Sequence, residues 1–122
     1  MSEQTKKIIY WILTGLIAFV FVGSAIGKFT ADANTLKLVE SIGLNANTYK
    51  LLGVIELISV LLFIFPRTGI LGVILLVSYM GGAIATHLES GQSVVAPCII
   101  QTALVLISFY RFPELVKRIN NK

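Results

Sequence analysis

A carboxylate lies deep inside an apolar run. Glu56 is flanked by Val54, Ile55, Leu57 and Ile58. Placing a charged side chain at mid-bilayer costs ~3 kcal/mol on insertion scales. Opposite charges 4 Å apart attract by ~4 kcal/mol at an effective dielectric of 20, so one partner can offset that cost. Two cation-capable residues sit at the ends of other apolar runs, Lys28 and His87. Ser24 and Lys28 share a helix face at i,i+4 spacing, as do Tyr79, Ala83 and His87, while Glu56 and Ser59 are spaced i,i+3. Gln101 adds an amide on a further run, with Cys98 and Thr102 nearby. The expected binding set is Ser24, Lys28, Glu56, Ser59, Tyr79, His87 and Gln101. In it Glu56 accepts hydrogen bonds, Lys28 supplies positive charge, and His87 donates or switches near physiological pH.

Each residue has a plainer role beside the chemical one. Glu56 can fix helix register through a structural hydrogen bond. Lys28 can snorkel to the interface. His87 can sit among headgroups, and Gln101 can satisfy itself against a neighbouring backbone. Cys98 reads as a small packing residue. As the lone cysteine it forms no intrachain disulfide and no Cys-x-x-Cys pair. One His, one Cys and one embedded Glu lack metal-ligand spacing, so no metal site and no catalytic set are assigned.

The elements that carry these residues are four apolar stretches, about 8–27, 49–65, 70–86 and 94–110, in a chain of 122 residues. About 20 apolar helical residues cross a ~30 Å hydrocarbon core. The chain is 56% hydrophobic and 13% charged, with mean hydropathy +0.86. Average soluble domains are about 25% charged, and a soluble bundle keeps a polar face on each helix. The expected fold is an all-α transmembrane four-helix bundle with antiparallel neighbours, one membrane domain over residues 1–122. The first stretch exceeds a signal-peptide core of about 7–15 residues and is expected to be a retained helix. No Gly-rich phosphate loop supports nucleotide chemistry. The net charge of +4 comes from Lys and Arg flanking the spans, which argues for orientation rather than nucleic-acid binding.

Lys6, Lys7, Arg67, Arg111, Lys117, Arg118 and Lys122 share one side, against Lys28, Lys37 and Lys50 on the other. The richer side is expected to be cytoplasmic, with both termini there. The expected location is a bacterial inner membrane. Glu56 then lies seven residues in from Tyr49, ~10 Å below the outer boundary. The remaining polar groups fall at similar depth, so every helix presents polar atoms to one outer-leaflet pocket. The inner half offers only the isolated Thr14 and Ser108.

Pro66-Arg67-Thr68-Gly69 makes the second and third spans antiparallel neighbours, and the short turn at Glu89, Ser90 and Gly91 does the same for the third and fourth. Leu36, Val39 and Ile42 mark a short outer interfacial helix at about 31–42, ended by Gly43. A tail at 111–122 opens at Pro113; it is a basic stop-transfer flank or a segment whose Lys117, Arg118 and Lys122 meet anionic headgroups. Tyr10, Trp11, Phe109, Tyr110 and Phe112 fit an inner aromatic belt, and Phe29 and Tyr49 an outer one. Gly23 with Gly27, and Ser78 with Gly82, are small-xxx-small pairs expected to serve packing within the chain.

Gly23 to Phe29 closes the first span as Gly-x-x-x-Gly-Lys-Phe, Gly53 to Leu57 reads Gly-Val-Ile-Glu-Leu, and Met80 to Leu88 ends the third span. In order and spacing, over about residues 8–112, these segments resemble the DoxX-like family of four-helix membrane proteins. The resemblance implies an integral membrane protein with Lys28, Glu56 and His87 at family-typical positions. Some relatives are linked to thiosulfate:quinone oxidoreductase or to oxidative-stress complexes, and distant animal relatives assist receptor assembly. The leading functional expectation is binding of a lipid, a small hydrophobic ligand or a partner helix at the outer-leaflet pocket. The alternative is a membrane subunit of a quinone-linked oxidoreductase complex, with quinone as the bound molecule. Haem, flavin and iron–sulfur signatures are absent from the sequence, so electron carriers would come from a partner. The expected partners are the bilayer and a membrane protein or a second copy of the chain. A small transporter is a third reading, weakened by the short bundle.

Overall fold

The computed structural model describes residues 2–120. Six α-helices follow in order: α1 Glu3–Phe29, α2 Ala33–Ser41, α3 Ala46–Ile64, α4 Gly69–Glu89, α5 Val95–Arg111 and α6 Pro113–Asn120. A 3₁₀ turn at Pro66–Thr68 joins α3 to α4. The expected spans all appear as helices. α1 starts a turn earlier than its apolar run because Ser2 caps it, its Oγ accepting from the Thr5 amide. Asp32 and Asn45 cap α2 and α3 in the same way.

Glycine ends two helices at the end away from the termini. Gly43 has φ 89° and Gly91 φ 73°, in the left-handed region where a side chain is strained. Leu44 N–H donates to Val39 O and Gly43 N–H to Glu40 O after α2. Gln92 N–H donates to His87 O and Gly91 N–H to Leu88 O after α4. Both are Schellman closures that satisfy otherwise orphaned carbonyls. α2 packs on α3 through buried Val39, so the segment between the first two spans is anchored to the bundle.

The four long helices form a ring in which α1 packs on α3, α3 on α4, α4 on α5, and α5 returns to α1. Both termini lie at one end, called here the terminal end; α2 and the α4–α5 turn form the loop end. Ile17, Phe21, Val60, Phe63, Val73, Leu76, Met80, Leu104 and Phe112 fill the centre. Outward faces are apolar as well, with Phe19 80%, Leu16 58%, Ile58 52%, Ile74 57% and Leu106 62% exposed. The interior meanwhile holds Thr14, Glu56, Ser59, Ser108 and Arg111. An apolar exterior around buried polar groups suits hydrocarbon rather than water. α1, α3 and α4 are each long and apolar enough to cross a membrane. α5, at 17 residues, makes a fourth candidate only together with α6, which turns from it by 95°.

Close approach inside the ring depends on glycines other than those expected. A Cβ on Gly72 would overlap the Phe63 backbone, and one on Gly69 would overlap the Phe112 ring. At Gly53 it would press on Lys28 Cβ at 3.1 Å and Ala25 O at 3.3 Å. A Cβ on Gly23, Gly27 or Gly82 meets open space, and Ser78 is exposed. The expectation that Gly23/Gly27 and Ser78/Gly82 serve packing within the chain is therefore corrected. Their spacing put each pair on one face, but that face points outward.

Candidate functional site

Helix direction brings Lys28 and Glu56 together. Side chains on a helix lean toward its N-terminus. α1 runs toward the loop end and finishes at Phe29, so Lys28 leans back into the bundle. α3 runs the opposite way, so Glu56 leans toward the loop end and meets it. Gly53, one turn earlier on α3, lets the backbone close against Lys28 Cβ.

Lys28 Nζ donates to Glu56 Oε1 at 3.0 Å and to Ser24 Oγ at 2.8 Å. Tyr79 Oη donates to the same Oε1 at 3.4 Å. The Glu56 side chain is 2% exposed and that of Lys28 12%. The ammonium also stands 5.7 Å from the Tyr49 ring centre and 5.6 Å from that of Tyr79, within cation–π reach. Three spanning helices thus meet at one carboxylate oxygen. Among the described residues, Glu56 Oε2 takes no hydrogen bond from the protein. The snorkel reading of Lys28 is corrected: its ammonium turns inward to the acid. Tyr49, expected as an interfacial anchor, is one wall around it.

The other expected residues stand apart from this cluster. Of the two candidate partners, Lys28 rather than His87 pairs with Glu56. His87 lies two turns beyond Tyr79 on α4, and its Nδ1 is 2.7 Å from Ala83 O. Ser59 is buried, but its hydroxyl donates to Ile55 O at 2.7 Å. Thr14, Ser78, Thr86, Thr102 and Ser108 likewise bond the carbonyl four residues back. Such hydroxyls are satisfied within their own helix. Gln101 Nε2 donates to Val77 O at 3.2 Å and ties α5 to α4, while its buried Oε1 has no protein partner among the described residues. Two shallow surface grooves lie at the terminal end, one along Lys7, Ile8 and Trp11 and one along Phe109, Val116 and Lys117; Glu56 lines neither.

A second polar centre was not expected. Arg111 is 4% exposed at the terminal end. Its Nη1 donates to Phe63 O at 2.6 Å, and its Nη2 to Ile64 O and Tyr10 Oη, each at 3.2 Å. The guanidinium lies 4.4–4.9 Å from the rings of Phe63, Tyr10 and Phe112. The last carbonyls of α3 need outside donors because the helix stops at Ile64; Leu62 O, which an N–H at position 66 would have met, takes the Thr68 hydroxyl at 2.8 Å, and Phe63 O and Ile64 O are left for another side chain. α5 runs toward the terminal end, so Arg111 leans back into the bundle and supplies that donor. The inner half is therefore not limited to Thr14 and Ser108. Position at the edge of an apolar run made Arg111 resemble an orienting charge; the Phe112-Pro113 that follows was the available signal of a bend.

A family model described as the DoxX-like family matches residues 12–110. The chain belongs to the DoxX-like family. The matched region contains α3 and α4 whole and most of α1 and α5, together with Lys28, Glu56, Tyr79 and His87. Among curated proteins and among solved structures nothing matches this DoxX-like chain.

Proposed function

We propose that this DoxX-like membrane protein binds a lipid or small hydrophobic ligand bearing a hydrogen-bonding head, at the Lys28–Glu56 site near the loop end. The carrying observation is the buried Lys28–Glu56 pair, which brings α1, α3 and, through Tyr79, α4 to one carboxylate. Supporting it, Oε2 is left to accept a ligand donor, and Lys28 retains some exposure between two tyrosine rings. An apolar tail would lie on the lipid-facing side chains, with its head against the pair. With the loop end outward, the orientation that the Lys and Arg distribution favours, the head would come from the outer leaflet.

Glu56→Gln keeps the shape and removes the charge. Purification from native membranes, followed by mass spectrometry of the retained small molecules, tests the reading. One species is expected to fall by about tenfold or more in Glu56→Gln, the worth of a charge-assisted hydrogen bond. An unchanged set of retained molecules with only a lower melting temperature would make the pair purely structural. Tyr79 bonded to Glu56 gives the quinone-linked reading a specific foothold, since the two form a donor–acceptor path beside aromatic rings. Recovery of quinone with a redox partner would select it over lipid binding.

A further inference from the structure

α5 and α6 meet at 95°, so when α5 crosses the membrane α6 lies along its surface. The corner is held in place. Phe112 is buried, Leu115 packs on the core, and Leu115 N–H donates to Phe112 O at 2.9 Å. A groove fills this corner, lined by Phe109, Pro113, Val116, Lys117 and Asn120. Pro113, Val116, Lys117 and Asn120 form one helical stripe at i, i+3, i+4 and i+7. Phe109 continues it onto the lipid-facing side of α5, where Leu106 is 62% exposed.

The groove has two walls of different chemistry. The wall along the membrane normal is apolar, formed by Phe109, and the exposed Leu106 three residues earlier continues that face beyond the groove. The wall in the membrane plane carries an ammonium and an amide, from Lys117 and Asn120. Glu114 does not line the groove; it stands on the adjoining stripe, three residues before Lys117 and four before Arg118, so the lining itself holds one cation and no acid. From these walls we infer that the α5–α6 corner is a binding site for an anionic phospholipid of the leaflet at the terminal end. Its acyl chain runs along Leu106 and Phe109, its glycerol region crosses Val116, and its phosphate meets Lys117, with Asn120 donating beside it. The site lies at the other end of the bundle from Lys28 and Glu56 and does not depend on them.

Lys117→Gln and Arg118→Gln remove the same charge from adjacent exposed positions of α6, one inside the groove and one outside it. The full chain is purified in neutral detergent, and binding of phosphatidylglycerol against phosphatidylcholine is counted by native mass spectrometry. The unmodified protein is expected to prefer phosphatidylglycerol. Lys117→Gln should reduce that preference about fivefold, the worth of one basic residue at an anionic surface, while Arg118→Gln keeps it. Equal losses in both variants would mean diffuse surface attraction and overturn the site, as would a wild-type protein without headgroup preference. Melting temperatures without added lipid should be alike for all three proteins, which separates lost binding from lost folding.

Discussion

Breaking the Lys28–Glu56 pair from one side leaves a buried charge alone. Lys28→Met is expected to cost about 3–5 kcal/mol, because Glu56 then loses its compensating charge. Lys28→Met combined with Glu56→Leu should recover much of that loss, since an apolar pair of similar size carries no desolvation penalty. Unfolding in mixed micelles would measure both. A double variant that regains stability yet still loses the retained ligand would separate the site's binding role from its packing role. Arg111 calls for a different substitution. Its fork donates to two carbonyls and one hydroxyl and stacks among three rings. Arg111→Lys keeps the charge but not the planar fork, so it should lower stability almost as far as Arg111→Leu. Full recovery with lysine would reduce the residue to a simple point charge.

At the scale of elements, glycine position decides which helix faces can meet. Gly72→Ala puts a methyl against the Phe63 backbone, which cannot move aside as a flexible side chain would. A loss of about 1–3 kcal/mol is expected, read as a lower melting temperature. Gly23→Ala and Gly27→Ala meet open space and should be neutral or stabilising, by up to roughly 1 kcal/mol from helix propensity. The reverse order would show that Gly23 and Gly27, not Gly72, carry the close contact. The N-cap of α2 adds a pH dependence. The Thr35 amide at 2.8 Å holds the Asp32 carboxyl below its ordinary value of 3.8. A carboxyl lowered on folding contributes stability above the unfolded value and loses it as pH falls through the folded one. Faster amide exchange confined to α2 is therefore expected below about pH 4, and Asp32→Asn should remove that pH dependence while keeping a competent cap.

For the whole molecule, polarity is inverted relative to a soluble bundle. The exterior between the two ends is Phe, Leu and Ile, and the interior holds an ion pair and a guanidinium. The polar centres lie at opposite ends, Lys28–Glu56 joining α1 to α3 and Arg111 joining α5 to α3 and α1. The α5–α1 closure carries Tyr110 Oη to Lys6 O at 3.1 Å and Arg111 to Tyr10, both at the terminal end. Orientation in the membrane is testable with a single reporter thiol. In a Cys98→Ser background, a cysteine at Ser93 should react with an impermeant maleimide on intact cells, and one at Ser2 only after lysis. The opposite pattern would reverse the topology argued from Lys and Arg.

The sequence alone located the long apolar helices, the α2 segment, the tight connections and the family. These follow from local properties: apolar length, proline, and glycine at helix ends. Gly43 and Gly91 were legible because a positive φ is a local demand. It also singled out Glu56, since a charge within an apolar run is visible without any fold. Only the tertiary structure decided between Lys28 and His87 as its partner, because that depends on how α1 and α4 are rotated about their axes. Rotation likewise turned Gly23 and Gly27 outward and Gly53, Gly69 and Gly72 inward. Arg111 was hidden for the same reason. A basic residue at the end of a span has the same sequence signature whether it reaches out to headgroups or back to the open carbonyls of another helix, and only packing chooses.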